Sequence, residues 1–146
     1  MRAGIFNSHE LPYEILKNCQ GELSKLFFSV CYEIYLYKTN QLNYVQLAFV
    51  HRDIEYYARR LGMLSLTLAT CIDMGKISQD FFDFQKAQEH YSKAVKLSVK
   101  LGDKYREELS IDRLGMCEYY RGDLMAANFY HKSVDRLSSY NKVRIL

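Results

Sequence analysis

Forty residues separate Leu61-Gly62 from Leu101-Gly102, written RRLGM and VKLGD, and forty again separate Asn43, Asp83 and Asp123. A fixed interval recurring at independent places is the signature of stacked structural repeats, and few folds satisfy it. Asn43, Asp83 and Asp123 each precede a run of apolar residues at helical spacing. Their side-chain oxygens suit them to cap a helix start, where the first turn leaves backbone N–H groups without partners. Gln46, three residues after Asn43, adds the second half of a capping box. The Leu-Gly pairs suit the opposite end, since glycine readily takes the left-handed conformation that closes a helix.

The same shift superposes apolar positions on both sides of each cap. Cys31, Cys71 and Ile111 correspond, then Ile34, Met74 and Leu114, then Tyr35, Gly75 and Gly115. After the caps come Tyr44, Phe84 and Leu124, then Leu47, Ala87 and Ala127, then Ile54, Ala94 and Val134, then Tyr57, Leu97 and Leu137. Within each unit these lie three or four apart, which is helical periodicity. Each unit is therefore a helix, a short turn and a second helix. The map places an N-terminal helix over 9–19, helix pairs over 22–38 and 44–61, 63–78 and 84–101, and 104–120 and 124–138, then an irregular tail over 139–146. Three repeats, 22–62, 63–102 and 103–138, make one expected domain, 1–146.

Composition supports an all-α reading. One proline in 146 residues lets helices run uninterrupted, and seven glycines are few for a turn-rich β fold. A hydrophobic share of 49% with a net charge of only +3 excludes a disordered chain and gives no sign of a nucleic-acid or membrane partner. The N-terminal stretch MRAGIFNSHELPYEILKNC lacks the apolar core of a signal peptide and the acid-poor look of a transit peptide. The most apolar run, Leu26 to Tyr37, is too short to span a bilayer and contains Glu33. An intracellular, cytoplasmic place is expected, with reduced thiols, because Cys19, Cys31, Cys71 and Cys117 show no CxxC spacing.

The second unit, LATCIDMGKISQDFFDFQKAQEHYSKAVKLSVKLGD, resembles a tetratricopeptide repeat. Cys71, Met74 and Gly75 stand at its first-helix signature positions, and Ala87-x3-Tyr91-x2-Ala94 reproduces the second-helix spacing. The third unit offers Ile111, Leu114-Gly115 and either Ala127-x3-His131-x2-Val134 or Ala126-x3-Tyr130-x2-Ser133. In the first, Tyr35 stands where the small residue belongs, and a ring there would push the helix pair apart unless the local geometry differs. The period is forty and not 34, so the second helix and its exit are longer. The resemblance implies helical hairpins stacked as a short α-solenoid. The rival architecture is an antiparallel helical bundle, which also uses hairpins but need not repeat at a fixed interval.

Candidate chemistry is sparse. His51 and His131 fill the repeat position of Tyr91, and with His90 they read as rings packed between helices, since none has the i, i+4 partner of a metal pair. Cys31 and Cys71 read as small inward hydrophobes. Glu107, Glu108 and Asp112 sit at a helix start, where the dipole favours negative charge. No GxxxxGK[ST], GxGxxG or HExxH occurs. No catalytic residue, metal or cofactor is assigned, and the expected role is not enzymatic.

Two surfaces remain. Lys86, Lys93, Lys96 and Lys100 share one face of a second helix, a solvated stripe or a site for phosphate or an acidic partner. The family resemblance implies that first helices line a groove that holds a partner peptide or helix. Carried over unit by unit, this gives Tyr32 and Leu36, then Ile72, Lys76 and Gln79, then Asp112, Met116 and Tyr119. Only Lys76 matches the carboxylate clamp of the co-chaperone subclass, which argues against that subclass. The expected function is a protein-binding scaffold or adaptor within a larger complex. The alternative is a ligand-sensing or nucleic-acid-binding helical domain using the stripe. Apolar Val143, Ile145 and Leu146 with no evident cap predict self-association through the C-terminal end.

Overall fold

The computed structural model describes residues 17, 18, 20–41 and 43–145, with side chains as far as Ser139. The N-terminal helix expected over 9–19 lies outside them except for Lys17 and Asn18, which are helical. The described chain is all-helical: α1 (Glu22–Lys38), α2 (Tyr44–Arg60), α3 (Leu64–Asp80), α4 (Phe84–Leu101), α5 (Lys104–Arg121) and α6 (Leu124–Ile145). It divides into two compact units at Met63/Leu64. The division falls at the end of the first repeat. The last helix corrects the tail, because SSYNKVRI contains neither proline nor glycine and α6 runs on to Ile145.

The caps form where the period places them. Asn43 Oδ1 accepts from Val45 N–H at 2.9 Å, Asp83 from Lys86 N–H at 3.2 Å and Asp123 from Ala126 N–H at 2.9 Å. Asp103 adds a fourth, accepting from Arg106 N–H at 3.0 Å. Gly102 closes α4 at φ 69, in the left-handed region, as its Leu-Gly pair predicts. The backbone hydrogen bond to Arg106 holds the Asp103 carboxyl below its ordinary range, against a smaller opposing effect of burial. A folded-state pKa below the unfolded one means the cap is fully worth having above about pH 4 and is lost as pH falls through the folded value. Asp103→Ala should therefore cost about 1 kcal/mol at neutral pH. In thermal melts taken down to pH 2, the variant and the parent chain should converge.

In the second unit α3 packs on α4, α4 on α5 and α5 on α6. Leu68, Cys71 and Ala94 form one buried cluster and Ala87, Tyr91, Leu114 and Cys117 another. Ile72 packs against both, and Tyr130 of α6 against the second. The crossing of α3 and α4 is made close by Gly75: a Cβ there would lie 2.6 Å from Tyr91 Cε1. Buried Ala127 aligns α6 with Ala87, and a Cβ on Gly115 would meet Tyr130 Cβ at 3.1 Å and the His131 ring at 3.2 Å, so both residues face that crossing.

In the first unit α1 packs on α2, and here the forty-residue shift fails for the first helix only. The buried residues of α1 are Leu26, Ser29 and Leu36, whereas Cys31, Ile34 and Tyr35 are exposed. Cys31 is thus not an inward hydrophobe. Five residues, 39–43, join α1 to α2, but only three, 81–83, join α3 to α4. The two extra residues move α1 along by two positions, so the correspondence for this helix is forty-two: Leu26 with Leu68, Ser29 with Cys71, Glu33 with Gly75 and Leu36 with Ser78. Tyr35 never occupies the crossing, and no ring pushes the pair apart.

Candidate functional site

First and second helices of the second unit both contribute buried residues, and the first helices also carry a side that is not buried. In the second unit Lys76 and Tyr119 are exposed, and Ile72, Gln79, Asp112 and Met116 are half-buried. Their positions pair off at forty residues, Ile72 with Asp112, Lys76 with Met116 and Gln79 with Tyr119. The six therefore lie at matching heights on one side of α3 and α5. Two of them are tied to neighbours. Gln79 Oε1 accepts from the Tyr91 hydroxyl at 3.1 Å, and Asp112 Oδ1 lies 3.3 Å from His131 Nδ1 of α6. Ile72 contributes as much to the two buried clusters as to any surface. Lys76, Met116 and Tyr119 are the members freest to meet a partner.

In the first unit one of the two carried-over residues is misplaced. Leu36 is fully buried and cannot line a groove. Tyr32 is half-buried in a row of stacked rings, 6.2 Å from Phe28 on one side and from Tyr35 on the other. Counting back forty-two from Ile72, Lys76 and Gln79 gives Val30, Ile34 and Tyr37, of which Ile34 and Tyr37 are exposed. These were missed because a constant period was assumed. The signal was the polar run Thr39-Asn40-Gln41, which lengthens the turn beyond that of the second unit.

The buried side chains of both units read as structure. Cys117 is enclosed with Tyr91 and Leu114, and burial, aided by Glu118 and opposed by Arg113 and Arg121, pushes its thiol up to about 11. A thiol so protonated is a poor nucleophile at neutral pH. Burial likewise pushes the Tyr91 phenol up. His51, almost wholly enclosed, has Nε2 3.0 Å from Glu33 Oε1, joining α1 to α2 as His131 and Asp112 join α6 to α5. Glu107, buried at the start of α5, is held by Lys104 at 2.7 Å.

The basic stripe lies on α4 as expected. Lys86, Lys93, Lys96 and Lys100 are all exposed, and Lys86 reaches Asp83 at 3.1 Å. Among the described residues no aromatic ring stacks over these lysines, as a base-binding face would require. Among the described residues no helix is long and apolar enough to cross a membrane. No family model matches the sequence, and no curated protein matches it significantly.

Proposed function

We propose that the protein is a non-enzymatic adaptor built from tetratricopeptide-like repeats, in which the outward side of first helices receives a peptide or helix of another subunit. The observation that carries this reading is the two-sided character of the first helices. α3 buries Leu68, Cys71 and Gly75 and α5 buries Leu114 and Cys117, while the same helices leave Lys76 and Tyr119 exposed and Met116 half-exposed. Such a surface, apolar and aromatic with one cation, suits an amphipathic helix or an extended segment. The enclosed Cys117 and the paired histidines fit a scaffold better than a catalytic centre. A cytoplasmic setting with reduced thiols accords with this role. Self-association belongs to the same reading, since α6 exposes Met125 and Phe129 one turn apart, at 83% and 66%.

The test compares charge changes on the two faces. Met116→Glu with Tyr119→Ser should lower recovery of a specific partner in affinity capture at least about tenfold, the equivalent of about 1.4 kcal/mol of binding. Lys93→Glu with Lys96→Glu should leave it unchanged, and circular dichroism should show both variants folded. Loss of the partner only from the lysine variant would move the site to the stripe and overturn the assignment.

A further inference from the structure

Among the described residues, the α1–α2, α3–α4 and α5–α6 turns each have a residue in the left-handed region: Asn40 at φ 53, Phe82 at φ 62 and Gly122 at φ 87. Asparagine and glycine tolerate that conformation, whereas phenylalanine is strained in it. The turn does not need the ring. Phe82 and Gly122 donate equivalent backbone hydrogen bonds, to Gln79 O at 2.9 Å and Tyr119 O at 3.0 Å, and the residue after each donates to Ser78 O and Glu118 O at 2.9 Å. Phe82 is nevertheless 80% exposed, so packing does not hold it there either. Neither the hydrogen bonds of the turn nor burial accounts for a ring at this position.

Phe82 begins a row of rings within the second unit. Its centroid is 6.2 Å from Phe84, which stacks at 5.4 Å on Tyr120, which meets Tyr119 edge-on at 5.8 Å. Phe84 is half-buried and forms the floor, while Tyr119 and Tyr120 are more than half exposed. The steps of 5.4–6.2 Å match about two residues of a polyproline II helix, which advances roughly 3.1 Å per residue. Such a helix has no internal hydrogen bonds, so its carbonyls are available to tyrosine hydroxyls.

Charge selects among ligands that stack on rings. Within four residues of these rings along the chain are Asp80, Asp83, Glu118 and Asp123 against Lys86 and Arg121, four negative and two positive, a net of −2. Lys86 pairs with Asp83 and Arg121 with Glu118, which leaves the surplus on Asp80 and Asp123. That field repels a nucleic-acid strand and attracts cations. The geometry points to a second docking site, on the turn edge of the α3–α4 and α5–α6 hairpins, for a proline-rich peptide segment flanked by basic residues. It shares Tyr119 with the side of α3 and α5 assigned to the adaptor partner but includes neither Lys76 nor Met116.

The experiment is fluorescence anisotropy with the full chain and a labelled peptide of ten prolines ending in two arginines, set against the same peptide ending in two glutamates and against oligothymidylate. The arginine peptide should bind saturably and at least about tenfold more tightly than either control. Phe82→Asn, which places asparagine in the conformation Asn40 already adopts, should fold as well as the parent chain and bind about tenfold more weakly. Tyr120→Leu should weaken binding similarly, and Met116→Glu should not change it. The proposal is overturned if the arginine peptide shows no saturation by about 1 mM, if oligothymidylate binds more tightly, or if Phe82→Asn binds like the parent. Loss of peptide binding in Met116→Glu alone would likewise overturn it, by placing the peptide in the adaptor groove.

Discussion

Tyr91→Ala is expected to lower the stability of the second unit by about 4 kcal/mol, the range found when a buried aromatic ring is cut back to a methyl group. Tyr91 is wholly enclosed, packs with Ala87, Leu114 and Cys117, and donates its hydroxyl to Gln79. The ring also lies against Gly75, and this makes the effect of a second substitution change sign. In the parent chain Gly75→Ala would place a Cβ 2.6–2.8 Å from three ring atoms of a side chain with no room to withdraw. Overpacking of this kind costs about 1–3 kcal/mol, more than the roughly 1 kcal/mol that alanine gains over glycine within a helix. In the Tyr91→Ala background the clash is gone and only the helical gain remains. Gly75→Ala should then stabilise the chain by about 1 kcal/mol, giving a coupling of about 1–3 kcal/mol between the two positions, the overpacking cost itself. Hydrogen exchange of α3 and α4 amides in the four chains measures this directly. Additive effects would show that the crossing does not depend on the pair.

Much of this arrangement is legible in the sequence because the second helices obey one rule. Leu47, Ala87 and Ala127 are all buried, as are Ile54 and Ala94, since each cap fixes where its helix starts and helical periodicity then presents the same positions inward. The first helices are anchored only through their turns, so a change of turn length rotates them. That is why α1 was read two residues out of step, with Cys31 and Tyr35 turned inward and Leu36 assigned to a groove. Glu33 concealed the true stripe, because a carboxylate in the series 26, 29, 33, 36 interrupts the apolar pattern. The partial exposure of the positions on α3 and α5 was legible, but pairing of Asp112 with His131 was not, since it depends on which way α6 faces. The aromatic row was not legible either. Phe82 and Tyr120 are thirty-eight residues apart, and only packing of α5 against α4 brings the latter over Phe84.

The corrected register makes Glu33 and His51 the first unit's counterpart of Gly75 and Tyr91, and it predicts a different energetic signature. Where the second unit closes its crossing by omitting a side chain, the first fills it with a carboxylate and an imidazole 3.0 Å apart, at 21% and 1% side-chain exposure. Removing one member of an enclosed pair leaves the other without its partner in a place water barely reaches. Glu33→Ala is therefore expected to cost the first unit about 3 kcal/mol, at the lower end of the range for buried pairs because Glu33 keeps some contact with solvent. Replacing both by leucine removes the polar groups together and restores apolar volume, so Glu33→Leu with His51→Leu should recover most of that loss. The readout is hydrogen exchange of α1 and α2 amides, which reports on this unit by itself. An exposed ion pair would behave otherwise, costing less than about 1 kcal/mol on removal of Glu33 and fading in high salt. A loss that persists in salt and is reversed by the double leucine would mark the pair as the first unit's way of closing a crossing that glycine closes in the second.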